Sequence, residues 1–165
     1  MTPRLTRLND ALYRALRFAL TLLMGLLIFP IVLQIVSRFT PGIPHFIWTE
    51  EIARFCFIWV IMLGAMIGVR DGTHFALDLW SHAPTPRAQA IGRLWVHAAM
   101  MVMALTFAGF GWRFALFGFA QQSELTGLNM LAVHIAWPLA GVVFALFLTE
   151  KFIEDIRLMR SHGPG

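Results

Sequence analysis

Four long runs of apolar residues limit what this chain can fold into. The first, residues 18–36, carries no charge, and at about 1.5 Å per helical residue it nearly crosses a hydrocarbon core of about 30 Å. Apolar residues make up 58% of the 165-residue chain and charged residues 13%, against roughly 45–50% and about 25% in soluble domains. Because a soluble domain of this size cannot bury so much apolar surface, the sequence predicts an all-α integral membrane protein.

The positions of the apolar runs predict four transmembrane helices in a single domain, residues 1–165. The second run is too short alone, so its helix begins near Trp48 or Thr49 and carries charges in its first turns. Residues 73–83 mix apolar and polar side chains and precede Pro84 and Pro86, which predicts a short interfacial amphipathic helix. The predicted spans are approximately residues 16–38, 47–70, 88–113 and 125–149.

The distribution of Arg and Lys predicts the orientation of these spans. Basic residues are concentrated in the N-terminal arm, in the connection between the second and third spans, and in the C-terminal tail. Cytoplasmic segments are enriched in basic residues, so we expect both termini in the cytoplasm and the protein in the cell inner membrane. The residues on this side are Arg4, Arg7, Arg14, Arg17, Arg70, Arg87, Arg93, Lys151, Arg157 and Arg160.

Several classes of function are disfavoured. The net charge of +4 comes with one Lys and no basic stripe, so we expect no nucleic-acid partner. The single cysteine, Cys56, lies in an apolar run and is interpreted as a small buried hydrophobe. The sequence contains no phosphate-binding loop and no nucleophile motif, so we predict neither an enzyme nor a cofactor. It also lacks a series of membrane carboxylates typical of a proton-coupled carrier, which favours an accessory role.

The main charged cluster, Glu50, Glu51 and Arg54, lies at the start of the second span. Glu50 and Arg54 are four residues apart and share a helix face. The cluster is either a docking contact with a partner subunit or an ion pair at the outer interface that needs no partner. Arg113, in the third span, could bind a lipid phosphate, pair with Glu124 or reach a partner, and snorkelling to the interface is the default.

Two pairs of residues suggest weaker alternatives. His97 and His134 lie in neighbouring spans and could ligate haem in a small b-type cytochrome, although counting from the helix ends places them at opposite depths. His74 and Asp78 are four apart and could hydrogen-bond, and we interpret them as structural.

A third pair, Gly64 and Gly68, forms a G-x-x-x-G pattern on the second span. Glycines at this spacing allow close helix packing in membranes.

Three segments together resemble the small membrane subunit (DctQ-type) of tripartite ATP-independent periplasmic (TRAP) transporters. They are WTEEIARF at residues 48–55, LGA at 63–65 and RDGTHFALD at 70–78. The resemblance implies three components: a periplasmic solute-binding protein that captures an organic anion, a large membrane subunit that moves it with sodium, and a small subunit packed on the large one's scaffold. It implies partner-interface or structural roles for Trp48, Glu50, Glu51, Arg54, Gly64, Gly68, Arg70, His74 and Asp78. Under it, the Glu50 cluster lies at the outer rim, and His74 and Asp78 order the inner interfacial segment.

Overall fold

The computed structural model describes residues 3–40, 47–72 and 86–161. Over these residues the chain forms four long helices and one short one, which confirms the prediction of an all-α membrane protein. Four segments are apolar and long enough to cross a membrane: Thr6–Phe39, Ile47–Asp71, Gly92–Phe119 and Leu131–Ile153, the last of which runs through the short helix into the final long one. The helices are α1 (Pro3–Phe39), α2 (Ile47–Asp71), α3 (Pro86–Phe119), α4 (Leu131–His134) and α5 (Ala136–Ser161). The predicted interfacial helix at residues 73–83, with His74 and Asp78, lies outside the described residues.

The fourth span begins at Leu131, six residues later than the pattern of apolar residues predicts. Residues 120–130 instead form a compact turn, in which the Met130 N–H donates to the Gln121 carbonyl at 3.0 Å. Gly127 adopts a positive φ of 68°, a conformation that glycine reaches at little cost. The Asn129 side chain accepts a hydrogen bond from the Leu131 N–H at 2.8 Å. Polar side chains and a glycine therefore stabilise a turn where Leu125 and Leu128 suggest a helix.

The interruption between α4 and α5 has a simple backbone cause. Pro138 lies in the first turn of α5 and has no N–H to donate to the His134 carbonyl. A backbone hydrogen bond still connects the interruption to α5, because the Leu139 N–H donates to the Ile135 carbonyl at 3.2 Å. In α3, by contrast, Arg113 does not end the helix, which continues to Phe119.

The last helix in the sequence is central in the packing. α5 contacts both α2 and α3, and α1 packs mainly on α2 with a smaller contact to α5. The most apolar stretch of the fourth span is 56% buried within the chain, whereas that of the first span is 6% buried. The core comes mainly from α2 and α5 and includes Met66, Ala140, Phe147 and Leu148. The outer faces of α1 and α3 are left broadly apolar and exposed.

Close contact between α3 and α5 depends on small residues. A Cβ placed at Gly111 would lie 2.8 Å from the Pro138 nitrogen, and one at Gly141 would collide with the α3 backbone around Ala108. A Cβ at Gly64 would instead meet nothing within 4 Å, while Gly68 is buried. The small residues on α3 recur at intervals of four and three along one face, the spacing that brings helices together in membranes. They are Ala104, Ala108, Gly111, Ala115 and Gly118.

Candidate functional site

Polar side chains are concentrated at the two ends of the bundle along the helix axes. We call the end with the start of α1 and the end of α5 the termini end, and the end with the turn at residues 120–130 the loop end. Between them the core is filled by apolar side chains such as Met62, Met66 and Phe144. Candidate contacts with other molecules therefore lie at the two ends and on the exposed outer faces.

At the loop end, the charged cluster predicted at the start of α2 separates into two parts. The Arg54 guanidinium lies 3.2 Å from the Glu50 carboxylate, and these side chains are 65% and 57% exposed. This pair needs no other group within the chain and faces outward. Trp48, two residues before Glu50, is 39% exposed. The structure thus keeps Glu50 and Arg54 together on an accessible surface.

Glu51 points the other way, into the protein, and is 8% exposed. The Ser123 hydroxyl donates a hydrogen bond to Glu51 Oε1, while Glu51 Oε2 has no hydrogen-bond partner among the described residues. The same Ser123 oxygen accepts the Thr126 N–H at 3.4 Å. Glu51 therefore connects the start of α2 to the turn after α3.

A second bond at this end was not anticipated from the sequence. The Trp59 indole Nε1–H donates to the Ala132 carbonyl at 2.8 Å, which joins α2 to α4. A tryptophan in the interior of a span that finds an acceptor for its N–H is common, but the acceptor lies 73 residues away. The acceptor can therefore be identified from the structure but not from the sequence.

At the termini end, Arg70 joins three helices. Its guanidinium donates to the Asn9 backbone carbonyl and to the Asp10 carboxylate, both on α1. It also lies over two aromatic rings, 4.9 Å from the centroid of Tyr13 and 5.3 Å from that of Phe147 on α5. The planar guanidinium suits such combined hydrogen bonding and stacking. Arg70, predicted as a motif residue, is placed as the connecting group between α1, α2 and α5.

Further bonds at the same end reinforce this connection. The Asn9 side-chain amide donates to Glu150 on α5 at 2.7 Å, and Asn9 is fully buried. The Tyr13 hydroxyl donates to Asp71 on α2 at 2.7 Å. We call Asn9, Asp10, Tyr13, Arg70, Asp71 and Glu150 the termini-end network. Its members come from three helices, and only Arg70 was singled out in the sequence.

The two histidines considered as haem ligands lie far apart. His97 Nδ1 is 2.5 Å from Asp155 at the termini end, an ion pair when the histidine is protonated. His134 is buried at the loop end, with its ring 4.0 Å from that of Phe114. Along α3, His97 and Phe114 are separated by 17 residues, or about 25 Å. One haem iron cannot bind both imidazoles at that separation.

Arg113 remains exposed near the loop end of α3. It makes no ion pair with Glu124, and within the described part of the chain it has no other hydrogen-bonding partner. A single cation on an otherwise apolar outer face is unusual in a membrane.

Comparison with known proteins places this arrangement in a family. The family model described as "Tripartite ATP-independent periplasmic transporters, DctQ component" matches residues 27–158. A putative TRAP transporter small permease protein of Haemophilus influenzae is 26% identical over 151 residues, covering 90% of this chain and 89% of the relative. The sialic acid TRAP transporter small permease protein SiaQ of Vibrio cholerae is 23% identical over 142 residues, covering 83% and 79%.

A third relative differs in size. The sialic acid TRAP transporter permease protein SiaT of Haemophilus influenzae is 28% identical over 124 residues, which are 75% of this chain but only 19% of that longer protein. The family match begins within α1 and covers the whole of α2, with its charged start, as well as α3, α4 and most of α5. The chain therefore belongs to the DctQ family, the small membrane subunits of tripartite ATP-independent periplasmic transporters.

Proposed function

We propose that the chain is an accessory subunit that supports a large TRAP permease during binding-protein-dependent, sodium-driven uptake of an organic anion. The observation that carries the proposal is the alignment with SiaT, in which a segment like this chain forms 19% of a permease. In SiaT, the segment similar to this chain is part of one longer polypeptide. In the proposed complex, the rest of that polypeptide corresponds to a separate large subunit that binds this chain. Carboxylates and sugar acids are the proposed substrates, since two relatives are sialic acid transporters by name.

The packing of the helices supports an accessory role over independent transport. The core between the two ends consists of apolar side chains such as Met62, Val143 and Phe144. An organic anion crossing the membrane needs polar or cationic groups along its path. The polar groups of the described helices are concentrated at the two ends and are largely bonded to one another. A rigid bundle of this kind is suited to anchor a partner that moves.

We also propose that the termini end faces the cytoplasm and the loop end the periplasm, in the inner membrane. The basis is the placement of arginines, four of which lie in the first 17 residues. In this orientation the exposed Glu50–Arg54 pair faces the periplasm, where it is accessible to the large subunit or to the solute-binding protein. Single-cysteine variants labelled from outside whole cells test the orientation. Labelling at position 124 and protection at position 14 are expected, and the reverse pattern would contradict it.

Reconstitution tests the assignment of function directly. The chain should co-purify with a large permease encoded beside it, and liposomes containing both should take up substrate when a sodium gradient and the binding protein are present. Liposomes with the small chain alone should show no uptake. Uptake by this chain alone, or full uptake by the large subunit in its absence, would overturn the proposed role.

A further inference from the structure

The loop-end half of the exposed α3 face combines one cation with two apolar grooves. Arg113 is at the top of this surface, and below it Val102, Leu105, Thr106, Gly109 and Phe110 line a groove of about 480 Å³. A second groove of about 420 Å³ runs on the other side of Phe110, between α3 and Trp137 of α5. The Thr106 hydroxyl donates to the Val102 carbonyl at 2.9 Å, so it presents no unsatisfied polar group to either groove.

The depth of Arg113 matches the headgroup level of one leaflet. Arg93 and Arg113 are 20 residues apart on α3, or about 30 Å, which is the thickness of the hydrocarbon core. Each has an exposed tryptophan beside it, Trp95 at 74% and Trp112 at 57% exposure. Tryptophans favour the interface between lipid and water. Arg113 is therefore placed where phosphate groups lie, and not at the centre of the membrane.

The larger groove extends from this level toward the centre of the membrane, and the second, lined from Thr106 to Phe114, also begins at the level of Arg113. Residues 102 to 110 lie between 11 and 3 positions before Arg113, or about 16 to 5 Å deeper along the helix. This depth range corresponds to the acyl region of one leaflet, which is about half of the 30 Å core. Two grooves separated by the Phe110 side chain match the two acyl chains of a single lipid.

We propose that this surface is a binding site for a phospholipid, with the phosphate on Arg113 and one acyl chain in each groove beside Phe110. Charge complementarity carries the choice of ligand, because Arg113 is an exposed cation without a partner among the described residues. An arginine at this depth gains from a charge-assisted hydrogen bond to a phosphate oxygen. The site lies in the loop-end leaflet and is separate from the Glu50–Arg54 pair.

Native mass spectrometry of the full chain in detergent tests the proposal. With added dioleoyl phosphatidylglycerol, Arg113→Gln should lower the affinity about tenfold, since it removes a charge-assisted bond. Arg38→Gln is the matched control, because Arg38 is also exposed in a helix at the loop end, and it should leave the affinity unchanged. Equal effects of the two variants would overturn the proposal.

A second variant tests the grooves without touching the cation. A Cβ at Gly109 would meet nothing within 4 Å, so Gly109→Leu should fold normally and fill the larger groove. We expect it to weaken phosphatidylglycerol binding while Arg113 is intact, and unaltered binding would contradict a role for the groove. Dioleoylglycerol, which lacks the phosphate, should bind weakly to the wild-type chain, and inorganic phosphate should not displace the phospholipid. Displacement by inorganic phosphate would show an anion site without lipid specificity and would overturn the proposal.

The same variants separate a lipid from a protein partner. If Arg113 instead contacts a carboxylate of the large subunit, Arg113→Gln should abolish co-purification of the two subunits and leave phosphatidylglycerol binding unchanged. That result would overturn the lipid site. Loss of lipid binding with retained co-purification is the expected result.

Discussion

Glu51 and Ser123 lie 72 positions apart in the sequence and share a buried hydrogen bond between the start of α2 and the turn after α3. The bond gives Glu51 a role different from that of its neighbour Glu50, although the two are adjacent and chemically identical. Glu50 is part of an exposed ion pair, whereas Glu51 positions the turn at residues 120–130. Adjacent residues of a helix point about 100° apart, so a cluster in the sequence need not be a cluster on the surface.

The first prediction concerns this bond. Ser123→Ala should lower the free energy of unfolding by about 1.5–3 kcal/mol, because a hydrogen bond to a charged group is lost and the Glu51 carboxylate stays buried. Denaturation in detergent micelles measures the change. Gln122→Ala, an exposed position in the same turn, is the control and should have little effect. Adding Glu51→Gln to Ser123→Ala should recover part of the loss, since an amide is cheaper to bury than a carboxylate; no recovery would contradict the role given to the bond.

The second prediction concerns the termini-end network. Arg70→Gln should lower the free energy of unfolding by about 1.5–3 kcal/mol and should loosen α1, whose other contacts are almost all with α2. Arg70→Lys should be intermediate, because an ammonium keeps the charge but not the fork that contacts Asn9 and Asp10 together. Arg93→Gln, an exposed arginine at the same end, provides the comparison. Faster proteolysis near Arg14, at the end of α1 that Arg70 holds, is expected in Arg70→Gln alone, and equal proteolysis of both variants would argue against the network.

The third prediction concerns the exposed pair at the loop end and depends on the proposed partner. Exchanging the charges, with Glu50→Arg and Arg54→Glu together, keeps an opposite-charge pair at the same spacing and should change stability by less than about 1 kcal/mol. If the pair docks a partner subunit, the exchange should reduce co-purification with the large permease. Retained co-purification would leave Glu50 and Arg54 as an interface anchor only.

The fourth prediction compares two glycines. Gly141→Leu should separate α3 from α5 and destabilise the chain by about 1–3 kcal/mol or more, since its Cβ would collide with backbone atoms of α3. Gly64→Leu should leave the isolated chain stable, because an added side chain enters open space there. Loss of the large subunit from Gly64→Leu, with normal stability of the chain itself, would indicate that Gly64 packs against that partner. Equal destabilisation by the two substitutions would contradict the packing described here.

The sequence predicts the number and type of the helices well, because a membrane span requires a long run of apolar residues and such runs can be read directly from the sequence. Helix ends are less predictable. Leu125 and Leu128 continue an apolar run, yet they lie in a turn, because Gly127 and Asn129 offer the backbone a better set of hydrogen bonds. Local side-chain bonds of this kind compete with helix formation, and a count of apolar residues does not register them.

The row of small residues with which α3 contacts α5 is a sequence pattern that a search for G-x-x-x-G does not find. A search for G-x-x-x-G finds Gly64 and Gly68 but not Gly111 and Gly141, where an added Cβ would meet a neighbouring backbone. On α3 the small residues alternate at intervals of four and three, which a search for a single spacing overlooks. The spacing could have been found by tracing one helix face over several turns.

The pairing of Asn9 with Glu150, by contrast, is a contact that no local sequence pattern predicts. These residues are 141 positions apart, and nothing in either local sequence specifies the other. Such contacts depend on which helices become neighbours, and a single sequence does not determine that order.

The central position of α5 has a consequence for biosynthesis. Chains emerge from the ribosome N-terminus first, at about 5–20 residues per second, so α1 and α2 can pair as a hairpin as soon as both are inserted. α3 packs chiefly on α4 and α5, and until those last segments follow it into the bilayer it has only lipid to contact. A chain interrupted before residue 131 would therefore hold a paired hairpin and an unpaired third helix in the membrane, an incomplete product for quality-control proteases to remove.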